Sequence, residues 1–305
     1  MTLNEFIKQI FENPSPHDLS VEEKAIWIYQ NHFCRRVSND EMSSPRRRGS
    51  PDVHEIPAFA GMTKGTDQED FFDMISKKSQ TLTTWIDIDA SKKENDEITT
   101  TFQGLNIKAR RGEWRTQNKK IQLRFPHFIL GDDSWFRCYF HDGFGKNKKA
   151  TARLYLNIVP EAVPYLIEEC RKLLKPISEN MMSIKAATNL RYYQLRRDPC
   201  VIYFQKRKEP YIPFVLRPLI QKIQKLKSLR DENMPLTCHL APGVSYAEEP
   251  RENGMSFGMH RCRIIAQALQ EQSRMTNLQD WICAIDDEWR RHGLMPDTPW
   301  RSSKS

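Results

Sequence analysis

Apolar residues recur at helical spacing in the first part of the chain. The clearest stretch is "LSVEEKAIWIYQNHFCRR", in which one face of a helix would be apolar. That face consists of Ala25, Ile28, Tyr29, His32 and Phe33. Ser20 and Glu23 lie three positions apart at its start, which is the spacing of a capping box. The pattern therefore predicts a helical N-terminal region over residues 1–110.

Residues 43–66 interrupt this pattern. The segment "SSPRRRGSPDVHEIPAFAGMTKGT" contains prolines and glycines at a density that neither a helix nor a strand accommodates. Its "RRRG" and "IPAFAGMT" parts resemble the peptide that results when a bacterial intergenic repeat element is translated in frame. We predict a repeat-derived, disordered insertion, in which the basic run Arg46–Arg48 is solvated and binds no ligand.

Beyond residue 110, extended runs alternate with helical patterns. The extended runs, rich in aromatic and β-branched residues, are "KKIQLRFPHFIL", "SWFRCYFHDGFG", "TARLYLNIVP", "MMSIKAATN" and "CVIYFQ". Helical spacing occurs in "PEAVPYLIEECRKLLKPI", "PFVLRPLIQKIQKLKSLRDEN" and "LQDWICAIDDEWRRHG". Together they predict an α+β fold with a mixed, mainly antiparallel sheet covered by helices. We assign residues 111–290 to this α+β domain and residues 291–305 to a polar tail.

Composition narrows the class of protein. The chain has 305 residues, of which 39% are hydrophobic and 28% charged, values typical of a globular protein. No run approaches the roughly 20 apolar residues of a membrane-spanning helix. Seven cysteines without a CxxC pair indicate reduced thiols. The net charge of +8 favours acidic or phosphorylated partners but fits a solvated basic surface equally well. Because no nucleic-acid-binding module is recognisable, we do not expect nucleic acid as a partner.

Common catalytic motifs are missing from the sequence. It has no P-loop, no HExxH and no GxSxG motif, so the usual nucleotide-dependent mechanisms are not expected. The residues Cys238, His239, His260 and Cys262 are of the types that zinc prefers, but their spacing matches no structural zinc module. We expect neither a metal nor a cofactor, and we expect Cys262 to pack as a small hydrophobic residue.

Cations within apolar strands and at the start of a helix form the candidate binding site. The segment "ENGMSFGMHRCRIIAQAL" places polar residues where a helix begins, and the amide groups there attract anions. Other cations lie within "TARLYLNIVP", "SIKAATN" and "NLRYY"; each either faces solvent or meets an anion in a cleft. The candidate residues are Arg153, Lys185, Arg191, Ser256, His260 and Arg261.

Five motifs follow one another in an order that resembles the HopA-class effector family. They are "RLYLNIVPEAVPYLIEECRKLL", "IKAATN", "RRDPCVIYFQKR", "PLTCHLAPGVSYAEEP" and "SFGMHRCRIIAQAL", and the last two are the most specific. The resemblance covers residues 130–272. It implies an α+β fold and an effector that is made in the bacterial cytoplasm and injected into a host cell by a type III apparatus.

The resemblance also implies a chemistry. Related domains in class V lanthipeptide pathways look like lyases that remove phosphate from phosphoserine or phosphothreonine by β-elimination. Such a reaction needs a base for the Cα proton, an acid for the leaving phosphate, and cations around it. The resemblance implies Lys185 as the base and His260 as the acid. The phosphate ligands that it implies are Arg153, Arg261, Ser256 and Arg191.

The partners expected from this resemblance are a phosphorylated peptide or protein, which can be a host protein, and a secretion chaperone. The sequence leaves one alternative open, which is an effector or adaptor that binds a phosphorylated or acidic protein without turnover.

Overall fold

The computed structural model describes fifteen parts of the chain. They are residues 1–35, 83–88, 92–94, 97–102, 105–109, 114–126, 128–130, 135–139, 151–174, 181–204, 211–225, 228–250, 255–270, 275 and 277–302. The predicted insertion over residues 43–66 lies outside these parts.

Six strands form two small antiparallel sheets ahead of the main domain. Their bounds are β1 (Thr83–Ile88), β2 (Lys92–Glu94), β3 (Glu97–Phe102), β4 (Leu105–Ala109), β5 (Trp114–Gln117) and β6 (Lys120–Pro126). One sheet has the order β1-β6-β5 and the other β2-β3-β4. Four of these strands lie before residue 110, in a part of the chain that the sequence pattern had placed in a helical region. Each is only three to six residues long, too short for its apolar alternation to be distinguished from a helical pattern.

Seven further strands form the central sheet. They are β7 (Phe128–Leu130), β8 (Trp135–Tyr139), β9 (Ala152–Leu156), β10 (Met181–Ala187), β11 (Cys200–Phe204), β12 (Cys238–Ala241) and β13 (Val244–Glu248). Their order is β12-β13-β9-β11-β10-β8-β7, and each neighbouring pair is antiparallel. The extended runs predicted from the sequence coincide with β6 to β11.

Seven α-helices fall within the described residues. They are α1 (Leu3–Glu12), α2 (Val21–Ile28), α3 (Val163–Leu174), α4 (Leu190–Leu195), α5 (Tyr211–Lys225), α6 (Phe257–Ala268) and α7 (Leu278–Arg291). The capping box of Ser20 and Glu23 forms at the start of α2 as predicted. A π-helical turn, Tyr29–Phe33, continues α2. In the described parts of the chain no helix is long and apolar enough to cross a membrane.

Strand alternation divides the core between the two faces of the central sheet. Leu154 and Ile202 belong to the cluster that α3 and α5 cover, whereas Tyr155 and Val201, one position away, face the layer of α1, α2, α6 and α7. We call the side that carries Tyr155 and Val201 the α6 face. The sheet thus has helices on both sides, and the predicted α+β class with helices at the N-terminus is confirmed.

The end of the described chain is folded onto the domain. Leu294 is buried, and the Trp300 ring contacts the Tyr246 ring edge-on with centroids 5.7 Å apart. The Glu248 amide donates to the Trp300 carbonyl at 2.8 Å, and the Ser302 amide donates to the Glu248 carboxylate at 3.0 Å. The segment predicted as a polar tail is therefore anchored up to Ser302, because its carbonyl groups and its tryptophan meet partners on β13.

Partial burial of His32 makes the stability of the fold depend on pH. Its Nε2 lies 3.1 Å from the Asn13 carbonyl oxygen, and burial lowers the pKa of His32 from 6.5 to about 4. His32 has the higher pKa, 6.5, in the unfolded chain, so acid protonates the unfolded state first. The stability that depends on neutral His32 is therefore complete above pH 6.5 and is lost as the pH falls toward 4. We expect the free energy of unfolding to fall by up to about 3 kcal/mol across that window.

Urea unfolding at several pH values measures this loss. The matched variant is His32→Gln, whose amide can still donate to the Asn13 carbonyl but does not titrate. Its stability should fall less steeply with acid than that of the unsubstituted chain, and equal slopes for the two proteins would contradict the assignment.

Candidate functional site

Ser256 and Gly258 form the start of α6. Ser256 is the N-cap, and its Oγ accepts a hydrogen bond from the Met259 amide at 3.4 Å. A Cβ at Gly258 would lie 2.5 Å from Phe33 Cε1 and 2.6 Å from Tyr29 Cε2. The glycine is therefore required for the close approach of the π-helical turn to α6.

Arg261 is a fully buried cation on α6, with 0% of its surface exposed. Its Nε donates to the Pro299 carbonyl at 2.9 Å and its Nη2 to the Arg301 carbonyl at 2.5 Å. The guanidinium also stacks on the rings of Phe257 and Trp289, at 4.9 Å and 5.6 Å from their centres. These contacts make Arg261 the anchor of the C-terminal segment.

His260 lies beside Arg261 and is buried as well. Its Nδ1 is 2.7 Å from Nη1 of Arg261. Because a guanidinium can only donate, Nδ1 is the acceptor and the imidazole proton resides on Nε2. The His292 ring meets the His260 ring edge-on at 6.3 Å, which places this imidazole at the C-terminal end of α7.

Arg153 projects from β9 onto the α6 face, where it is buried against an acid. Its Nε and Nη2 donate to the two carboxylate oxygens of Glu249, each at 2.5 Å. Its guanidinium lies 5.0 Å from the Tyr203 ring centre, and its Nη1 is 3.4 Å from the Tyr155 hydroxyl. Burial opposes the charge, but Tyr155, Tyr203 and Glu249 outweigh it and raise the pKa of Arg153 above its ordinary value.

Lys185 occupies β10 on the same α6 face. It pairs with Val201 of β11, which is two positions from Tyr203, the partner of Arg153. The side chain is half-buried, and its Nζ lies 4.4 Å above the centre of the Trp135 ring. Lys185 therefore points to the same side of the sheet as Arg153, but farther toward β8.

Arg137 and Arg196 join Lys185 near Trp135. Arg137 lies directly opposite Lys185 on β8 and is half-buried. Arg196 follows α4, and its guanidinium lies 5.6 Å from the Trp135 ring centre. Its Nε and Nη2 donate to the Asp198 carboxylate at 2.9 Å and 3.0 Å. We call Arg137, Lys185 and Arg196 the Trp135 cation cluster.

Neither Arg137 nor Arg196 was among the candidate residues, although both carried a signal in the sequence. Arg137 is a lone cation inside the aromatic strand "SWFRCY", the same pattern that identified Arg153 in "TARLYL". Arg196 stands two residues before Asp198 in the family-like motif "RRDPC".

Residues of the N-terminal region hold Arg196 in place. Its Nη2 also donates to Cys34 Sγ at 3.1 Å and to the Tyr29 hydroxyl at 3.5 Å. Burial raises the pKa of Cys34 to about 12, so this sulfur remains a neutral thiol. Tyr29 also contacts Gly258 of α6, and it therefore links the start of that helix to the Trp135 cation cluster.

The predicted site residues fall into two groups and one separate residue. Ser256, His260 and Arg261 are together on α6, while Lys185 and Arg153 lie on the α6 face of the sheet. Arg191 is half-buried on α4, where its amide donates to the Asn189 side chain at 2.9 Å. Their common participation in one phosphate site stays a prediction.

The cysteine and histidine side chains considered as zinc ligands can now be placed in the fold. Across the described parts of the chain, no three His, Cys, Asp or Glu side chains form a group that would hold a metal ion. Cys262 is buried in the core of α6, and that burial raises the pKa of its thiol. It packs there as the small hydrophobic residue expected from the sequence.

Comparisons with known proteins give a family and a fold. The family model described as the HopA1 effector protein family matches residues 134–301. The effector structure from Pseudomonas syringae pv. tomato strain DC3000 aligns with a TM-score of 0.56 and 18% identity, covering 98% of this chain and 95% of that chain. The effector structure from Pseudomonas syringae pv. syringae strain 61 gives 0.53 and 13%, covering 99% and 96%. Identities this low support the fold alone.

The other comparisons carry no functional argument. The structure of a phosphothreonine lyase aligns with a TM-score of only 0.28 and 9% identity, over 59% of this chain and 84% of that chain. No curated protein matches the sequence.

Proposed function

Because the chain belongs to the HopA1 effector protein family, we propose that it removes phosphate from phosphothreonine or phosphoserine in a peptide or protein by β-elimination. The observation that carries this proposal is the half-buried Lys185 on a sheet face that also bears Arg137 and Arg153, with the Arg196 guanidinium near the same Trp135 ring. A proton acceptor surrounded by cations suits a reaction that develops negative charge on a departing phosphate.

The proposed biology follows from family membership. The chain is made in the bacterial cytoplasm, is delivered into a host cell with the help of a secretion chaperone, and acts there on a phosphorylated host protein. These steps belong to the proposal, and the family match supports them only at the level of an effector.

The proposed reaction balances without a cofactor. A base takes the Cα proton, the electrons of that bond form the Cα=Cβ double bond, and the Cβ–O bond breaks. The phosphate leaves with the bridging oxygen, which an acid protonates. The peptide product contains a dehydro amino acid, and water is neither consumed nor released.

The resemblance assigns Lys185 as the base and His260 as the acid in this proposal. The bond from Arg261 to Nδ1 leaves Nε2–H as the only imidazole donor of His260. A neutral imidazole that lost Nε2–H would become an imidazolate, so His260 can serve as the acid only as an imidazolium, with Nδ1 protonated and Arg261 turned away from it. The phosphate-binding roles of Arg153, Arg191, Ser256 and Arg261 stay predictions, and Arg261 would have to exchange its contacts with carbonyl groups for contacts with phosphate.

Mass spectrometry of phosphopeptides tests the proposed activity. The full chain is incubated with phosphothreonine and phosphoserine peptides, and elimination gives a product lighter than the substrate by phosphoric acid. Hydrolysis would instead leave the hydroxyl peptide, which is heavier than the elimination product by one water. We expect Lys185→Ala and His260→Ala each to abolish elimination, while Lys120→Ala, on an exposed part of β6, leaves the rate unchanged. No elimination from a varied peptide set would contradict the proposal.

A second candidate function is binding of a phosphorylated or acidic partner without turnover. It is favoured by the guanidinium bond that His260 Nδ1 accepts, because an imidazole held neutral in this way does not give up a proton as an acid. Retention of a phosphopeptide without any change in its mass would select this function over the lyase.

A further inference from the structure

The small sheet β1-β6-β5 has one apolar and one polar side. Leu123 of β6 is buried on the apolar side, so its neighbours Gln122 and Arg124 point the other way. Paired residues of antiparallel strands share a side, and so do alternate residues of one strand. We call the polar side the β6 polar face; it carries Trp85, Asp87, Arg115, Lys120, Gln122 and Arg124.

Arg115 is held in place on this face although it is exposed. Its guanidinium carbon lies 4.3 Å from the centre of the Trp85 ring, and its Nε donates to Gln122 Oε1 at 2.9 Å. No contact among the described residues uses Nη1 or Nη2, so both terminal nitrogens can donate to a ligand. An exposed arginine ordinarily samples many rotamers, and these two contacts remove part of that freedom before a ligand arrives.

Gln122 is itself held by a carboxylate. Its Nε2 donates to Asp87 Oδ1 at 2.9 Å, and Lys120 Nζ donates to Asp87 Oδ2 at 2.8 Å. The bond from Lys120 and then the bond from Gln122 lower the pKa of Asp87, so this carboxylate stays ionised. The hydrogen bonds thus pass from Asp87 through Gln122 to Arg115, and the face already accommodates one carboxylate.

The β6 polar face has a surplus of positive charge. Lys120 and Asp87 form an ion pair whose charges cancel, and among the described residues of the face this leaves Arg115 and Arg124. Both arginines are exposed. A cation contributes to the field of a surface whether or not it has a neighbouring partner, so the surplus attracts anions in either case.

The spacing of the two arginines fits an extended acidic segment. Arg124 lies two positions from Gln122, the cross-strand partner of Arg115, and such diagonal positions are about 7–8 Å apart. Alternate residues of an extended peptide are about 6–7 Å apart, so two carboxylates match the two arginines one to one. Single-stranded nucleic acid fits less well, because its bases stack on open aromatic rings and Arg115 covers the ring of Trp85.

We infer that the β6 polar face binds an acidic segment of a partner protein, with Nη1 and Nη2 of Arg115 donating to a glutamate or aspartate carboxylate. A guanidinium and a carboxylate form two parallel hydrogen bonds, which adds orientation to the attraction of charge. Arg124 attracts a second carboxylate two residues along the segment. The face lies outside residues 134–301, and it is independent of the proposed elimination.

Calorimetry with the full-length chain tests the inference. The probe is a peptide that carries glutamate at alternate positions, and its glutamine counterpart is the neutral arm. We expect the glutamate peptide to bind at low ionic strength and to bind more weakly as salt is added, and the glutamine peptide not to bind. Arg115→Met should weaken binding about tenfold, the lower end of what a hydrogen bond to a charged group contributes.

Two further variants separate the orientation of Arg115 from its charge. Arg115→Lys keeps the charge but loses the fork, and should weaken binding about fivefold. Gln122→Met leaves every charge in place but removes the acceptor for Arg115 Nε, and should weaken binding about threefold because the guanidinium is no longer held.

Arg217→Met is the matched control for net charge. It removes one exposed arginine from α5 and should bind the glutamate peptide within about twofold of the unsubstituted chain. Thermal unfolding of every variant separates loss of binding from loss of the fold.

The outcomes separate this inference from the proposed function. Weaker peptide binding by Arg115→Met, with unchanged elimination from a phosphopeptide that lacks acidic residues, supports the face as a docking surface. If the unsubstituted chain does not bind the glutamate peptide, or if folded Arg115→Met binds it as tightly as Arg217→Met does, the inference is wrong and the lyase proposal is unaffected. Tighter binding of a single-stranded oligonucleotide than of the glutamate peptide, lost in Arg115→Met, would assign the face to nucleic acid and also overturn the inference.

Discussion

Replacing Arg261 with methionine is expected to lower the free energy of unfolding by about 3–5 kcal/mol. The substitution leaves the carbonyls of Pro299 and Arg301 without their donor, and a hydrogen bond to a charged group contributes about 1.5–3 kcal/mol. It also removes the guanidinium that stacks on Trp289. Urea unfolding of the full chain measures the loss.

Arg263→Met is the control for this prediction. Arg263 lies two residues along the same helix but is 41% exposed, and its ion pair with Glu22 spans 3.5 Å at the surface. Its loss should cost less than about 1 kcal/mol. Hydrogen exchange provides a second readout, since the Glu248 amide donates to the Trp300 carbonyl and should exchange faster once the segment is released. Equal stabilities for the two variants would show that Arg261 does not anchor this segment.

The contrast between these two arginines shows what the sequence could not resolve. Arg261 and Arg263 have the same charge and stand on the same helix, and the acceptors of Arg261 are 38 and 40 residues away. No local pattern distinguishes a cation that binds an anion from one that binds distant carbonyl groups. The start of α6 was located correctly, and the carbonyl contacts of Arg261 are what the sequence did not reveal, while its phosphate role stays a prediction.

The central fold was easier to predict because it follows local alternation. Leu154 and Leu156 of β9 face one helical layer and Tyr155 the other, as the period of two requires. The order of the strands depends on long-range pairing, which single-sequence patterns do not report. The apposition of Arg137 and Lys185 was therefore invisible, although each residue lies in a strand that the sequence had identified.

Removing the Glu249 carboxylate is expected to destabilise the protein by about 3–5 kcal/mol, the cost of leaving a buried charge without its partner. In Glu249→Ala the Arg153 side chain, 8% exposed, would lose both of its charge-assisted bonds. The neighbouring Tyr203 and Tyr155 are neutral, because burial raises the pKa of each, and so cannot replace the carboxylate. Denaturant unfolding of the variant measures the loss.

A double variant shows whether the loss of stability comes from the Arg153 charge left without its partner or from the loss of the ion pair itself. Arg153→Met combined with Glu249→Leu should recover most of the stability, because an apolar pair avoids desolvating two ions. As a control, Asp87→Ala breaks the exposed ion pair between Asp87 and Lys120, which spans 2.8 Å, and should cost less than about 1 kcal/mol.

Added inorganic phosphate should stabilise Glu249→Ala more than the unsubstituted chain if Arg153 can bind the anion that the sequence predicted for it. If phosphate stabilises both proteins equally, Arg153 does not bind the anion and serves the fold through Glu249.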